Sequence, residues 1–233
     1  MNIFYAPPEQ ISESSLELRG CEASHASKTL RYKEGDQITA VDGHGGWYKG
    51  TITRIIKKSV WVEISSKERR KPVQPRIVTA IGLIKKKDRL EFAVEKAVEL
   101  GAAEIAIFRC ENSVKQNVRT GRLEKIALSA MKQSLQARLA KIKFFNSLLE
   151  LLQYYSDSII LAAHQSGSTL KNLENFSEKK DFLLITGPEG DFSEHEMKLF
   201  QKRNVKHIAL GKNRYRTETA SVIFLNSFLL LFT

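Results

Sequence analysis

Two glycine-marked stretches near the carboxyl end carry the residues from which a site could be built. Gly187-Pro188-Glu189-Gly190 follows the apolar run 182–185, and Leu210-Gly211 closes the run 205–210 ahead of Arg216, Thr217 and Glu218. A short apolar run bounded by turn residues reads as a buried strand, so each glycine sits on a loop at a sheet edge. In open α/β folds backbone N–H groups and helix N-termini face outward along that edge, and ligands bind there. Pro188 fixes φ, while Gly190 can take a positive φ and let a ligand approach the backbone. The chemistry suggested is capture of a small molecule by backbone groups. Two ordinary strand-to-helix turns would give the same spacing.

Rival chemistries find little support. A dinucleotide-type G-x-G-x-x-G turn should follow the first strand of the sheet, and Leu83-Ile84-Lys85-Lys86-Lys87 offers none; a Walker lysine motif is also missing. His164, His195 and His207 share neither ligand nor triad spacing, and no G-x-S-x-G occurs. Cys21 and His25 lie four apart without a second pair, so no metal site is expected.

The elements that must position the two loops can be read in part. Ser193-Glu194-His195-Glu196 has the form of a capping box and predicts a helix just after the first loop. Thr217 is expected as N-cap of the terminal helix, with Glu218 in its first turn where the dipole favours an acid. Upstream, 76–83 reads as a strand and Asp88-x-x-Glu91 as another capping pattern. A helix follows, with Leu90, Ala93, Val94, Ala97 and Val98 at core spacing and Gly101 as its stop. With a strand at 105–109 this makes a βαβ unit, hence a parallel sheet. A helix is expected over 121–134, a partly helical segment over 142–155, a buried strand over 158–164 and polar chain over 165–180.

The first third differs in kind. Strands at 37–41, 47–56 and 60–64 form a meander, with a hairpin turn at Asp42-Gly43-His44-Gly45-Gly46, and suggest a small barrel. A short helix over 21–31 would place His25, Lys28 and Arg31 on neighbouring faces, where the two cations suit phosphate contacts. The charged, proline-containing segment 67–75 reads as a linker, which divides the chain into domains at 1–71 and 75–233.

Bulk properties agree with a polyanionic partner. The 233 residues carry a net charge of +11, of which residues 1–75 contribute +3 and the remainder +8. Lys85, Lys86, Lys87 and Arg89 form a basic cluster at a strand end, suited to RNA phosphates or to a solvated surface. Two distant cysteines do not make a disulfide framework and fit a reducing cytoplasm. The N-terminus lacks the pattern of a signal peptide, and the longest apolar stretch, 222–232, is interrupted by Asn226-Ser227 and too short to span a membrane.

Taken together, Gly187-Pro188-Glu189-Gly190, Leu210-Gly211 and Arg216-Thr217-Glu218-Thr219-Ala220 resemble the bacterial ribosomal RNA uridine-N3 methyltransferases, the small-subunit methyltransferase E family of the SPOUT or trefoil-knot class. The likeness extends through Lys87-Asp88-Arg89-Leu90-Glu91, Glu95-Lys96, Glu99-Leu100-Gly101, Gln133-Ser134, Leu30-Arg31 and Gly35-Asp36, and so covers nearly the whole chain. Departures are Asp191, where many members carry glycine, Asn213-Arg214-Tyr215 in place of Arg-Ile-Leu, and Gln136 in place of arginine.

The resemblance implies an α/β fold: an N-terminal PUA-like β-barrel that binds RNA, then a SPOUT domain of parallel sheet and flanking helices whose last helix threads a knot. It implies S-adenosylmethionine as cofactor, held by Leu161, Ala163, His164, Gly187, Pro188, Glu189, Gly190, Leu210, Gly211, Tyr215, Arg216 and Thr217. The expected reaction is methylation of N3 of a uridine in 16S ribosomal RNA, free or in the small ribosomal subunit, by a cytoplasmic homodimer. Arg216 is expected to steady the uridine anion, and Glu218 or Glu189 to accept the imide proton. RNA contacts are expected from His25, Lys28, Arg31, Lys85, Lys86, Lys87 and Arg89. An inactive RNA-binding assembly factor, or the same fold acting on another RNA acceptor, would share these features.

Overall fold

The structure is a computed structural model and describes residues 2–113, 118–170 and 181–232. It divides into two compact units, one made of residues 1–72 with 131–139, the other of 73–130 with 140–233.

The first unit contains strands β1 (Ile3–Tyr5) and β2 (Ser15–Arg19), the short helix α1 (Gly20–Ser24), and strands β3 (Gln37–Val41), β4 (Gly46–Ile56) and β5 (Ser59–Arg69). They form one sheet in the order β1-β3-β4-β5-β2, with β1 parallel to β3 and the other pairs antiparallel. Phe4, Leu18, Ile38, Val60 and Val62 fill its core, as the period-2 alternation of the strands dictates. The hairpin turn before β4 is held by Asp42, whose Oδ1 accepts from the N–H groups of His44 and Gly46 at 2.7 and 2.8 Å. Strand β5 runs on to Arg69, so residues 67–69 of the expected linker belong to the sheet. Pairing with β4 outweighs the charged composition of that stretch, because both strands are long enough to continue the ladder.

The second unit holds β6 (Ile77–Gly82), α2 (Lys87–Glu99), β7 (Glu104–Phe108), α3 (Thr120–Gln133, whose last three residues fall in the first unit), β8 (Lys141–Phe145), α4 (Leu148–Tyr154), β9 (Ile159–Ser168), β10 (Phe182–Thr186), α5 (Glu194–Lys202), β11 (Lys206–Ile208) and α6 (Thr217–Leu229). The sheet is parallel throughout, in the order β11-β9-β10-β6-β7-β8. The chain lays β6, β7 and β8 outward in one direction, then returns to build β9, β10 and β11 on the other side of β6. The boundary between β6 and β10 is therefore a topological switch point, where the crevice outside the strand ends takes ligands.

All five expected core positions of α2 are buried, and Gly101 ends the helix with φ 90°. Asp88 does not cap it. The helix starts one residue earlier, at Lys87, with no side-chain cap, and Glu91 pairs with Arg122 instead. The segment expected to be partly helical over 142–155 divides into β8 and α4. In the short edge strand β8 lysines interrupt the apolar residues and only Phe145 is fully buried, so no continuous apolar run marked it in the sequence. Phe182 on β10 packs against Phe228 on α6 at 4.8 Å between ring centroids, fixing the terminal helix on the sheet. The part of the expected polar segment at 171–180 lies outside the described residues.

Candidate active site

Both glycine loops line one cavity of about 470 Å³ at the carboxyl ends of the central strands. One wall comes from Thr186, Gly187, Pro188 and Glu189, at and beyond the end of β10, together with Asp191. Another wall comes from Leu210, Gly211, Tyr215, Arg216 and Thr217, which lead from β11 into α6.

A third wall arises from an irregularity in β9. Its register against β11 advances from Ala162 to Ser168 while β11 advances by one residue, from His207 to Ile208. The intervening chain must leave the ladder, and Ala163, His164 and Gln165 line the cavity. His164 Nδ1 lies 2.7 Å from Ser166 Oγ, and the ring stands edge-on to His207 at 5.3 Å. Burial, with the His164 charge as a smaller cause, lowers the pKa of His207.

The loop after β10 is braced from outside. Asn112 Nδ2 donates to the carbonyls of Gly190 and Asp191, both at 3.3 Å. Beyond it the capping box forms as the sequence suggests: Ser193 Oγ accepts from the Glu196 amide at 3.1 Å and Glu196 Oε2 accepts from the Ser193 amide at 2.9 Å. Glu196 is 2% exposed, and its Oε1 also accepts from the Glu111 amide at 3.2 Å. The positive φ of the loop falls at Asp191, 61°, and not at Gly190. Asp191 adopts the left-handed backbone that favours glycine, and its Oδ1 accepts from the Phe192 amide at 2.9 Å.

The second loop enters α6 through Arg216, which is the N-cap, so Thr217 is the first helical residue and not the cap expected of it. No side-chain oxygen caps this helix. Arg216 is exposed at the cavity, and among the described residues it makes no ion pair. Glu218, which could have claimed it, is turned away: it is 7% exposed, does not line the cavity, and meets Arg89 Nε at 3.5 Å. Arg89 Nη1 also donates to Glu189 Oε1 at 3.0 Å. Arg89, expected to contact RNA, is thus engaged by two carboxylates.

Of the other expected cofactor residues, Leu161 is fully buried in the sheet core and Gly190 backs onto Asn112; neither lines the cavity. The cavity also takes in Asn213 and Arg214, within the stretch 210–217 expected to face the cofactor, and Gln165, Asp191 and Ala220, which sequence reasoning did not assign to it. Thr186 was missed as well, though its place at the end of a strand before Gly187 was a usable signal. Lys85, Lys86 and Lys87 are exposed at the strand-end side of β6, around the start of α2. His25, Lys28 and Arg31 are exposed in the first unit, on the helical turn after α1 and its end. No group of three metal-ligating side chains occurs among the described residues.

The cavity fits an organic cofactor. Its volume lies in the range of small-molecule sites, and Thr186 Oγ1 is buried at its edge without a hydrogen-bond partner among the described residues. A buried hydroxyl left unpaired costs about 1–3 kcal/mol, which a polar ligand atom would recover.

Fold and site together define an RNA methyltransferase: the RNA methyltransferase domain family matches residues 70–229, and the RNA methyltransferase PUA domain family matches 18–65. A curated relative from Mesomycoplasma hyopneumoniae, ribosomal RNA small subunit methyltransferase E, is 30% identical over 209 residues, 85% of this chain and 87% of its own length. Among solved structures, a Porphyromonas gingivalis protein described as a probable rRNA-methyltransferase is 31% identical with a TM-score of 0.89, covering 99% of this chain and 98% of its own. A Legionella pneumophila protein solved with bound SAM is 26% identical with a TM-score of 0.87, covering 98% and 97%. This chain belongs to the ribosomal RNA small subunit methyltransferase E family.

Proposed function

We propose that this protein transfers a methyl group from S-adenosylmethionine to N3 of a uridine in 16S ribosomal RNA. The observation that carries the reading is one cavity lined by both glycine loops, with the exposed guanidinium of Arg216 in its lining and in no ion pair among the described residues. Backbone groups of Gly187, Pro188, Leu210 and Gly211 would hold the adenine and ribose, with Thr186 as a further polar partner. When bound, the cofactor supplies an electrophilic methyl group. The protein's own task is to align the acceptor nitrogen and to stabilise the charge left on N3, O2 and O4 once the imide proton departs. Arg216 serves that second purpose, because among the described residues no carboxylate pairs with it. A paired target base must be unstacked to reach the cavity.

The RNA is gripped by two exposed basic groups, His25 with Lys28 and Arg31, and Lys85 with Lys86 and Lys87. Three lysines around a helix N-terminus oppose the helix dipole, an arrangement that favours a polyanionic partner over simple solvation. The domains are proposed as 1–71, binding RNA, and 75–233, catalytic, with the last helix threaded behind an earlier loop as in the trefoil-knot class. Phe92 on α2 and Leu230 and Leu231 beyond α6 are exposed apolar side chains of the kind a second copy covers, which supports a homodimer. Among the described residues no helix is long and apolar enough to cross a membrane, and a ribosomal RNA substrate supports a cytoplasmic location.

Mass spectrometry of 16S ribosomal RNA from cells with and without the gene tests the reaction. One uridine should lose an N3 methyl group on deletion. Unchanged RNA, or loss of a ribose or purine methyl group, would refute the proposed acceptor.

A further inference from the structure

We infer that Arg89 is a positioning residue that ties the two walls of the methyl-donor cavity together through Glu189 and Glu218. The inference rests on the cofactor reading above and adds a residue that does not itself line the cavity.

Arg89 sits in the first turn of α2, with 22% of its side chain exposed. Its Nη1 donates to Glu189 Oε1 at 3.0 Å, and Glu189 lines the wall that follows β10. Its Nε lies 3.5 Å from Glu218 Oε1, in the first turn of α6, directly after the cavity residues Arg216 and Thr217. One planar guanidinium therefore reaches a carboxylate on each crossing. Arginine can meet two partners at once through its fixed fork of donors, which a lysine ammonium does with less geometric control.

Burial makes the arrangement consequential. The Glu218 side chain is 10% exposed, and among the described residues Oε2 is buried with no partner and Arg89 is the cation paired with the carboxylate. Removing one partner of a buried pair leaves the other charge uncompensated. Without Arg89, Glu218 would be driven toward solvent or toward Arg216 two residues away. The first outcome shifts the start of α6, and the second takes the guanidinium proposed to face the uridine. The Glu189 contact is more exposed and weaker, yet it bears directly on the loop whose backbone faces the cofactor.

The test compares Arg89→Ala, Arg89→Lys and Glu189→Gln in the full chain, reading S-adenosylmethionine affinity by calorimetry and RNA affinity against salt concentration. Arg89→Ala should weaken cofactor binding about tenfold and leave the salt slope of RNA binding unchanged. Arg89→Lys should recover part of that loss, and Glu189→Gln, which replaces a half-exposed group, should weaken binding about threefold in a folded protein. In the double variant the Glu189→Gln effect should largely vanish, since both changes break one link. Wild-type cofactor affinity in Arg89→Ala, or a salt slope lowered by about one, would overturn the inference and make Arg89 an RNA contact. Failure of the wild-type protein to bind the cofactor would instead overturn the reading on which it rests.

Discussion

Gly82 meets the peptide bond between Gly187 and Pro188 so closely that a Cβ on Gly82 would stand 2.6 Å from the Pro188 nitrogen. The end of β6 thus serves as the bed on which the first cavity wall is laid. Because the atom in the way is backbone, the loop itself must move to admit a methyl group. Gly82→Ala should cost about 1–3 kcal/mol in denaturant unfolding and lower cofactor affinity in the fraction that folds. Wild-type stability with wild-type binding would mean that the loop is free to shift.

Arg216 is expected to act in the reaction and not in cofactor retention. Arg216→Ala should lower turnover about 100- to 1,000-fold, the scale for loss of one charge-stabilising donor, with cofactor dissociation constant changed only a few fold. Single-turnover methyl transfer and calorimetry read the two quantities separately. Unchanged turnover would remove Arg216 from the mechanism.

Arg31 holds φ 57°, a left-handed conformation, where it closes the helical turn that follows α1. A non-glycine residue there carries about 1–2 kcal/mol of strain, and glycine adds about 0.5–1 kcal/mol of unfolded-chain entropy. Arg31→Gly should therefore stabilise the protein by up to about 1 kcal/mol in urea melts while reducing the salt slope of RNA binding by about one. A stabilised variant with undiminished RNA affinity would show that the arginine serves no phosphate.

His207 makes stability depend on pH. Burial, then the His164 charge, hold its pKa below the ordinary histidine value of 6.5. The unfolded chain then binds more protons than the folded chain between the two values, so stability is complete above the ordinary pKa and falls as pH drops through it. Thermal melts from pH 8 to pH 5.5 should show this decline, and His207→Asn should flatten it. Parallel curves for the two proteins would assign the decline to other groups.

The sequence showed the parts of the site that depend on local backbone rules and concealed those that depend on neighbours. The Ser193 and Glu196 capping box, the core face of α2 and the two glycine loops follow from residue types at fixed spacing, and the structure contains them. Thr217 was expected to cap α6, yet the strand-to-helix geometry gives that place to Arg216, whose side chain caps nothing. Leu161 belongs to the core because β9 is covered on both faces, whereas its neighbours Ala163 and His164 reach the cavity through a register slip against a strand more than 40 residues later. Arg89 looked like one more cation in a basic run. Its partners lie 100 residues and more away in the chain, so only the folded structure could name them.

A structure of the protein with S-adenosylmethionine tests the central claim most directly. The account predicts the adenosine between Gly187 to Glu189 and Leu210 to Thr217, with Thr186 Oγ1 within hydrogen-bond distance of it and the methyl group facing Arg216. Cofactor bound anywhere else, or a cavity that remains empty at saturating cofactor, would contradict it.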